Sequence, residues 1–176
     1  GGADVLQDVD LPMPEPDPRD LLVAVRAVSV NPIDVKLRAR SKPKEGETKL
    51  LGFDAAGLVE AVGSEVQAFK SGDPVYWMNP VSRQGTNAEF HLVDARTAGW
   101  MPASLSFVEA AVLPLTGLTA WELLFDKLRV SREGEGSHGT LLVINGAGGV
   151  GSILIQLAAR LTGLTVIATA SRPETG

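Results

Sequence analysis

The stretch LLVINGAGGVG, residues 141–151, decides how the second half of this chain folds. Its first four residues are apolar and predict a short buried strand, and the glycines after them satisfy the G-x-G-x-x-G spacing. Residues 152–161 follow with helical periodicity, and residues 164–168 form a second strand rich in β-branched side chains. The sequence therefore predicts a βαβ unit whose first strand runs directly into a glycine-rich turn.

The three motif glycines have different physical tasks in such a unit. The first makes the tight turn, the second lets the backbone approach a pyrophosphate, and the third permits close packing of the helix. The helix N-terminus adds peptide N–H groups that attract phosphate charge. We therefore predict dinucleotide binding, and the alternative is a glycine-rich turn without a ligand. The predicted cofactor-binding residues of this turn are Gly146, Gly148, Gly149, Val150 and Gly151.

The choice of cofactor depends on residues 168–173, which read ATASRP at the end of the second strand. NAD-binding proteins place an Asp or Glu about twenty residues beyond the glycines to bind the ribose hydroxyls. No carboxylate is present here, so a 2′-phosphate meets no repulsion, and Ser171 and Arg172 offer a hydroxyl and a planar donor group. The sequence predicts NADPH as the cofactor, and the alternative is a surface arginine in a strand-to-helix loop.

The first part of the chain has the pattern of a β-rich domain. Residues 21–30 are rich in valine, residues 51–78 contain short apolar runs separated by glycines, and residues 88–93 form a further apolar run. Residues 35–50 carry six Lys or Arg side chains around a proline and a glycine, and we expect an exposed loop. These segments predict several strands joined by turns.

Helical patterns begin at Ser106, which forms a capping-box sequence with Glu109 before an apolar run. Pro114 is expected to interrupt this helix. Residues 119–128 resume with apolar side chains at spacings of three and four, which predicts an amphipathic helix that packs in the core. The fold class expected from the whole chain is therefore mixed, α+β in the first part and α/β in the second.

Composition excludes several classes of function. With 16 Lys and Arg against 21 Asp and Glu, the net charge is −5, and no basic cluster indicates nucleic-acid binding. No cysteine is present, and His91 and His138 lie in different predicted elements, so no metal site is expected. No apolar run is long enough to span a bilayer, and no secretion signal begins the sequence, so a cytoplasmic protein is expected.

Four sequence segments together carry a family resemblance. They are GFDAAGLV (52–59), GDPV (72–75), NAEF (87–90) and LPLTGLTAW (113–121). With the glycine turn, they resemble the medium-chain dehydrogenase/reductase superfamily, and most closely the zinc-type alcohol dehydrogenase-like proteins of its quinone-oxidoreductase branch. The resemblance implies a GroES-like catalytic domain over residues 1–118 and the first βαβ unit of a Rossmann fold over residues 119–176. Superfamily chains are longer, so we expect an N-terminal fragment of a parent that forms homodimers.

The resemblance also bears on metal content and on the reaction. Zinc members hold the catalytic metal at positions that resemble Asn31, Phe53 and Leu115, and these side chains offer at most one weak amide ligand. Zinc-free relatives transfer hydride from NADPH to a quinone or an α,β-unsaturated carbonyl compound, which is the small-molecule reaction that the resemblance implies. The alternatives are a zinc-dependent alcohol dehydrogenase and a non-catalytic NADPH-binding protein of the same fold.

Three further residues are predicted to act near the reacting atoms. We expect the Asn31 amide near the nicotinamide ribose and the acceptor oxygen, Thr119 in contact with the nicotinamide, and Asp34 as a second catalytic candidate. The alternative for Asn31 is to cap the turn before Pro32, and the alternative for Asp34 is a structural hydrogen bond.

Overall fold

The computed structural model describes residues 5–41, 43–44, 46–132 and 138–171 of the chain. The chain forms two compact units, residues 1–114 and residues 115–176. The division at residue 114 separates two compactly folded parts of the chain. The boundary at residue 118 between a catalytic and a cofactor domain stays a prediction.

The first unit is built on a five-stranded antiparallel sheet. The strands are β1 (Asp20–Ser29), β2 (Asp54–Val62), β3 (Pro74–Met78), β4 (Phe90–Asp94) and β5 (Ala98–Trp100). Their order in the sheet is β4-β1-β2-β3-β5, so β2 is the central strand, between β1 and β3. Residues 51–78 and 88–93, predicted as strand and turn, supply β2, β3 and β4.

Burial follows the alternation of the strands. In β3, Val75 and Trp77 are buried while the residues between and beside them are half-buried, which is the two-residue period of a sheet with one face on the core. Val75 and Trp77 join Leu21, Val23 and Val59 in one hydrophobic cluster. Complete burial of such side chains contributes about 1.5–3 kcal/mol each, so this cluster is the main stabilising element of the first unit.

The expected loop over residues 35–50 is wrong in its first part, because α1 covers Pro32–Arg40. Proline at the first helical position has the required φ, and the carboxylate of Asp34 accepts a hydrogen bond from the Asn31 N–H at 2.7 Å. Basic residues in the last turn also favour a helix. The sequence did not predict this helix, because its charged residues leave no apolar stripe at helical spacing.

The predicted capping box at Ser106 is present. Helix α2 (Phe107–Ala111) begins after Ser106, whose hydroxyl accepts from the Glu109 N–H at 3.3 Å, and the Glu109 carboxylate accepts from the Ser106 N–H at 2.8 Å. The Glu109 carboxylate also accepts from the Ser106 hydroxyl at 2.7 Å, and the two bonds that it accepts, the one from the backbone N–H first, hold the pKa of Glu109 below its usual value. Ala110 and Ala111 pack with Ala56 of β2, so α2 covers part of the sheet.

The next helix begins earlier than predicted. Helix α3 covers Pro114–Trp121, and Pro114 therefore opens a helix at its first position instead of breaking one. A π-helical segment, Glu122–Lys127, continues from it, and the Leu128 N–H donates to the Leu123 carbonyl at 2.9 Å across five residues. Leu124 is fully buried there, as the amphipathic pattern predicted.

The second unit contains the predicted βαβ arrangement. Strands β6 (Thr140–Val143) and β7 (Thr165–Ala168) are parallel and hydrogen-bonded, and α4 (Gly149–Leu161) connects them. Helix α4 begins three residues before the predicted start at Ser152, because the motif glycines form its first turn. Its core residues Leu154 and Ala158 pack with Val143, Ala120 and Leu124. No helix in the described residues has the length and hydropathy needed to cross a bilayer.

His91 lies in the core of the first unit. It is 4% exposed, its Nε2 is 3.1 Å from the Gln84 carbonyl oxygen, and its ring stacks on Trp77 at 5.6 Å. Burial lowers the pKa of the imidazole and nearby Arg83 lowers it further, whereas the Gln84 hydrogen bond and Asp20 oppose this shift. The pKa of His91 therefore lies below its usual value, so the folded protein favours the neutral imidazole.

We expect the free energy of unfolding to decrease as the pH is lowered from about 7 to about 5. The unfolded chain takes up a proton on His91 below about pH 6.5, whereas the folded chain resists it. One such proton gives a slope of at most about 1.4 kcal/mol per pH unit. Urea denaturation of His91→Phe should show a shallower pH dependence than wild type, and the exposed His138→Gln serves as control. Equal slopes for His91→Phe and wild type would contradict the prediction.

Candidate functional site

The turn between β6 and α4 has its left-handed residue at Asn145, with φ 61°. Gly146 is not among the described glycines with positive φ, and its turn-making role stays a prediction. Asparagine tolerates this conformation better than most residues with a Cβ atom. The turn is closed by a hydrogen bond of 3.0 Å from the Gly148 N–H to the Asn145 carbonyl.

The three motif glycines differ in what surrounds them. A Cβ atom at Gly146 would lie 2.8 Å from the Cβ of Ala168, and one at Gly151 would overlap the Asn145 carbonyl oxygen. The fold itself requires glycine at both positions. At Gly148, the nearest atom is the side-chain Nδ2 of Asn145 at 2.7 Å, the end of a flexible side chain. The Asn145 carbonyl oxygen lies 3.3 Å away, so protein packing restricts position 148 less severely than position 151.

The start of α4 has the properties of an anion site. Its N-cap is Gly148, in an extended conformation, which has no side chain to accept from the first N–H groups of the helix. No acidic residue lies in the first turn, so an approaching phosphate meets the positive end of the helix dipole without repulsion. With Gly149, Val150 and Gly151 forming that turn, the predicted residues fit the pyrophosphate of a dinucleotide.

Thr169 follows β7 and makes three hydrogen bonds, one to the end of β6 and two to this turn. Its N–H donates to the Val143 carbonyl at 2.9 Å, its carbonyl accepts from the Gly146 N–H at 2.8 Å, and its hydroxyl accepts from the Asn145 N–H at 3.0 Å. Ser171 lies two residues farther along and is exposed. Arg172, the other residue predicted to bind the 2′-phosphate, lies outside the described residues.

Helix α3 contributes two threonines to the second unit. The methyl group of Thr116 lies 3.1 Å from where a Cβ atom at Gly149 would be, so α3 packs beside the first turn of α4. Thr119 is exposed, and its hydroxyl donates to the Leu115 carbonyl at 2.7 Å, as threonines within helices often do. Contact of Thr119 with a nicotinamide stays a prediction.

The catalytic candidates lie in a buried polar cluster of the first unit. The Asn31 amide donates from Nδ2 to Oδ2 of Asp54 at 2.8 Å and to the Ser29 hydroxyl at 3.3 Å, and the Ser29 hydroxyl also donates to Asp54 at 3.1 Å. Asp54 is fully buried and Asn31 is 9% exposed. A carboxylate accepts but cannot donate, so Asp54 fixes which end of the Asn31 amide points inward.

Asp34 lies beside this cluster, in the first turn of α1. Its Oδ2 accepts from the Asn31 N–H, whereas its Oδ1 is buried and has no hydrogen-bond partner in the described structure. The structural hydrogen bond considered for Asp34 is therefore present. The alternative role of Asn31 as a cap is also present, because Asn31 is the N-cap residue of α1 and forms a capping box with Asp34, while its Nδ2 donates to Asp54.

The residues present do not fit a catalytic zinc ion. The described residues contain no group of three or more His, Cys, Asp or Glu side chains that could hold a metal. Phe53, at the position that resembles a zinc-binding histidine, is buried and apolar. A catalytic zinc requires about three nitrogen, sulfur or oxygen ligands from the protein, so we derive no step through a metal.

Sequence reasoning missed three residues that shape the two sites: Asp54, Asn145 and Thr169. A signal existed for Asn145, because asparagine before glycine at the end of a strand is typical of a left-handed turn residue. Asp54 and Thr169 act through side-chain contacts with residues 23 and 24 positions away. Local pattern analysis of one sequence contains no information about such distant pairs.

Comparison with known proteins identifies the family. Residues 17–121 match the alcohol dehydrogenase GroES-like domain. A zinc-type alcohol dehydrogenase-like protein of Staphylococcus aureus (strain MSSA476) is 47% identical over 165 residues, which are 93% of this chain and 48% of that protein. The chloroplastic NADPH-dependent alkenal/one oxidoreductase of Arabidopsis thaliana is 35% identical over 99% of this chain and 46% of its own length.

Solved structures agree with this identification. Escherichia coli quinone oxidoreductase, crystallised with NADPH, has a TM-score of 0.79 and 32% identity over 99% of this chain and 51% of that one. The chain thus spans about half the length of the relatives it matches. The expected GroES-like domain followed by the first βαβ unit of a Rossmann fold is confirmed. The chain belongs to the medium-chain dehydrogenase/reductase superfamily, in the branch that contains the quinone oxidoreductases.

Proposed function

We propose that the protein carrying this chain is a zinc-independent, NADPH-dependent oxidoreductase that reduces a quinone or an α,β-unsaturated carbonyl compound. The observation that supports this most is the start of α4, where a glycine N-cap, a first turn without acidic residues and a left-handed Asn145 leave N–H groups open to a phosphate. Bound NADPH would supply the hydride. The substrate is a small molecule, and the proposed location is the cytoplasm.

The chain's own residues divide the binding of the cofactor between two places. The turn at Gly146 and Gly148 and the first turn of α4 hold the pyrophosphate, whose charge the helix dipole stabilises. Ser171 and Arg172 bind the 2′-phosphate, which distinguishes NADPH from NADH. A guanidinium group is suited to this task because it presents several donors in one plane.

Asn31 is proposed to meet the nicotinamide half of the cofactor through its carbonyl oxygen. Both Nδ2 contacts of Asn31 are made within the chain, to Asp54 and Ser29. The remaining oxygen can accept from a ribose hydroxyl but cannot donate to an acceptor carbonyl. Of the two contacts expected for Asn31, the one to the ribose is therefore favoured. Asp34 is proposed to act by holding the backbone of Asn31 in place.

The alternative function is a zinc-dependent alcohol dehydrogenase, because relatives of this chain are called zinc-type alcohol dehydrogenase-like. Its strongest prediction is one tightly bound zinc per chain after purification without added metal. The side chains at Asn31, Phe53 and Leu115 argue against such a site. Elemental analysis of the intact protein, together with turnover in the presence of a chelator, distinguishes the two enzymes.

The proposed function is tested by a panel of quinones and enones with NADPH and with NADH. We expect turnover with NADPH, and we expect Arg172→Ala to raise the KM for NADPH by roughly 10- to 100-fold, as for a lost charge-assisted contact of 1.5–3 kcal/mol. The KM for NADH should remain within about twofold, since NADH lacks the 2′-phosphate. Equal use of both cofactors by wild type and variant would overturn the NADPH assignment. Cofactor binding without turnover on any substrate would favour a non-catalytic NADPH-binding protein.

A further inference from the structure

We infer that Thr169 is a positioning residue that sets the geometry of the cofactor site by fixing the glycine turn to the end of β7. The inference deepens the proposed function and rests on it. Thr169 is neither a motif glycine nor one of the residues proposed to touch the 2′-phosphate. Thr169 acts indirectly, through its hydrogen bonds to Val143, Asn145 and Gly146.

Thr169 is hydrogen-bonded both to the end of β6 and to the glycine turn. The backbone of Thr169 continues the ladder between β6 and β7 through Val143, and its carbonyl binds the Gly146 N–H. Its hydroxyl adds a bond to the Asn145 N–H at 3.0 Å. Asn145 is the residue of this turn with positive φ, so the hydroxyl holds the turn at its left-handed residue.

The same residue lies next to the segment proposed to bind the 2′-phosphate. Ser171 follows Thr169 after a single intervening residue, so the position of Thr169 determines where this segment leaves the strand. A dinucleotide must contact the glycine turn and this segment at once. Fixing the distance between the two contacts in advance reduces the ordering that binding requires.

The hydroxyl can be removed without changing the shape of the side chain. Thr169→Val keeps the β-branched form that suits a strand end and deletes only Oγ1. Thr169 is exposed, so water can partly replace the hydroxyl, and we expect a change no larger than the range for one neutral hydrogen bond. This corresponds to a dissociation constant for NADPH about three- to tenfold higher.

The experiment measures NADPH, NADH, 2′,5′-ADP and 5′-AMP binding to the intact protein by calorimetry. The variants are Thr169→Val, Thr169→Ser, which retains the hydroxyl, and Thr165→Val as matched control. Thr165 is an exposed threonine at the start of β7, four residues before Thr169, and it joins the strand pairing through its backbone. The melting temperature of each variant is recorded in parallel.

We expect Thr169→Val to weaken NADPH binding and to reduce the factor by which 2′,5′-ADP binds more tightly than 5′-AMP. Thr169→Ser and Thr165→Val should behave like wild type in both respects. In turnover, the KM for NADPH should rise while kcat stays within about twofold, since the acceptor side is untouched. If Thr169 had a purely structural role, Thr169→Val would lower the melting temperature, and the ratio of the affinities for 2′,5′-ADP and 5′-AMP would stay unchanged.

The inference is overturned if Thr169→Val binds NADPH within twofold of wild type, or if Thr165→Val weakens binding equally. If wild type binds NADH but not NADPH, the NADPH assignment fails, and the same threefold to tenfold loss is then expected for NADH. If wild type binds neither nucleotide, the proposed function fails and this inference with it. The wild-type measurement therefore separates the two failures.

Discussion

Replacing Gly148 by valine is expected to weaken NADPH binding by at least about 100-fold while leaving the protein folded. The pyrophosphate makes several charge-assisted hydrogen bonds to such a turn, each worth about 1.5–3 kcal/mol, and tenfold in affinity corresponds to 1.4 kcal/mol. A side chain at position 148 would stand where the backbone must approach the phosphates. Within the protein, its Cβ atom meets the flexible amide end of Asn145 at 2.7 Å and the Asn145 carbonyl oxygen at 3.3 Å, so a small shift of the turn accommodates it.

Two variants serve as controls for this prediction. Gly117→Ala adds a methyl group in α3 where no atom lies within 4 Å, and it should leave binding unchanged. Gly151→Val would collide with the backbone of Asn145 and Gly146, and it should lower the melting temperature as well as the affinity. Fluorescence titration and calorimetric unfolding separate the two effects. Undiminished cofactor affinity of a folded Gly148→Val would show that the turn is not the phosphate site.

The second large effect concerns the buried carboxylate of Asp54. We expect Asp54→Ala to lower the free energy of unfolding of the intact protein by roughly 3 kcal/mol, because the Asn31 amide and the Ser29 hydroxyl lose a charged acceptor in a buried site. Asp54→Asn should cost less, since its amide oxygen can still accept one of these bonds. Denaturant unfolding gives the free energies directly.

A surface ion pair provides the comparison for Asp54. Arg19 and Glu65 form a salt bridge with both side chains more than half exposed, and Glu65→Ala should cost at most about 1 kcal/mol. If the proposed orientation of Asn31 is correct, Asp54→Asn should also raise the KM for NADPH, because its amide can turn the Asn31 side chain around. A cost for Asp54→Ala no larger than that for Glu65→Ala would contradict the buried network.

Elements defined by local patterns were predictable from the sequence. The strand, turn and helix of the βαβ unit follow from apolar runs and glycine spacing within thirty residues, and the α2 cap follows from Ser106 and Glu109. Helix α1 was missed because its charged residues show no apolar period. Pro32 and Asp34, which are typical of a helix N-terminus, are present, but the Lys and Arg residues that follow are more typical of an exposed loop.

The residues of the candidate sites also differ in whether local patterns could predict them. The glycine turn is one contiguous segment, so its residues could be named in advance. The Asn31 and Asp54 side chains meet only because β1 pairs with β2, with Ser29 opposite Asp54 in the register. Thr169 meets Asn145 only because β7 pairs with β6. Such contacts depend on which strands become neighbours, which local periodicity does not specify.

The dependence of the glycine turn on Thr169 has a consequence for the order of folding. A growing chain that has emerged from the ribosome only as far as the end of α4 contains the whole glycine motif, but not the residue that closes its geometry. Under the proposed function, phosphate affinity would arise when the second strand docks, and not when the motif is synthesised. By mass action, a cofactor that binds only the docked form would draw that pairing toward completion, so the coenzyme would also promote assembly of the unit that binds it.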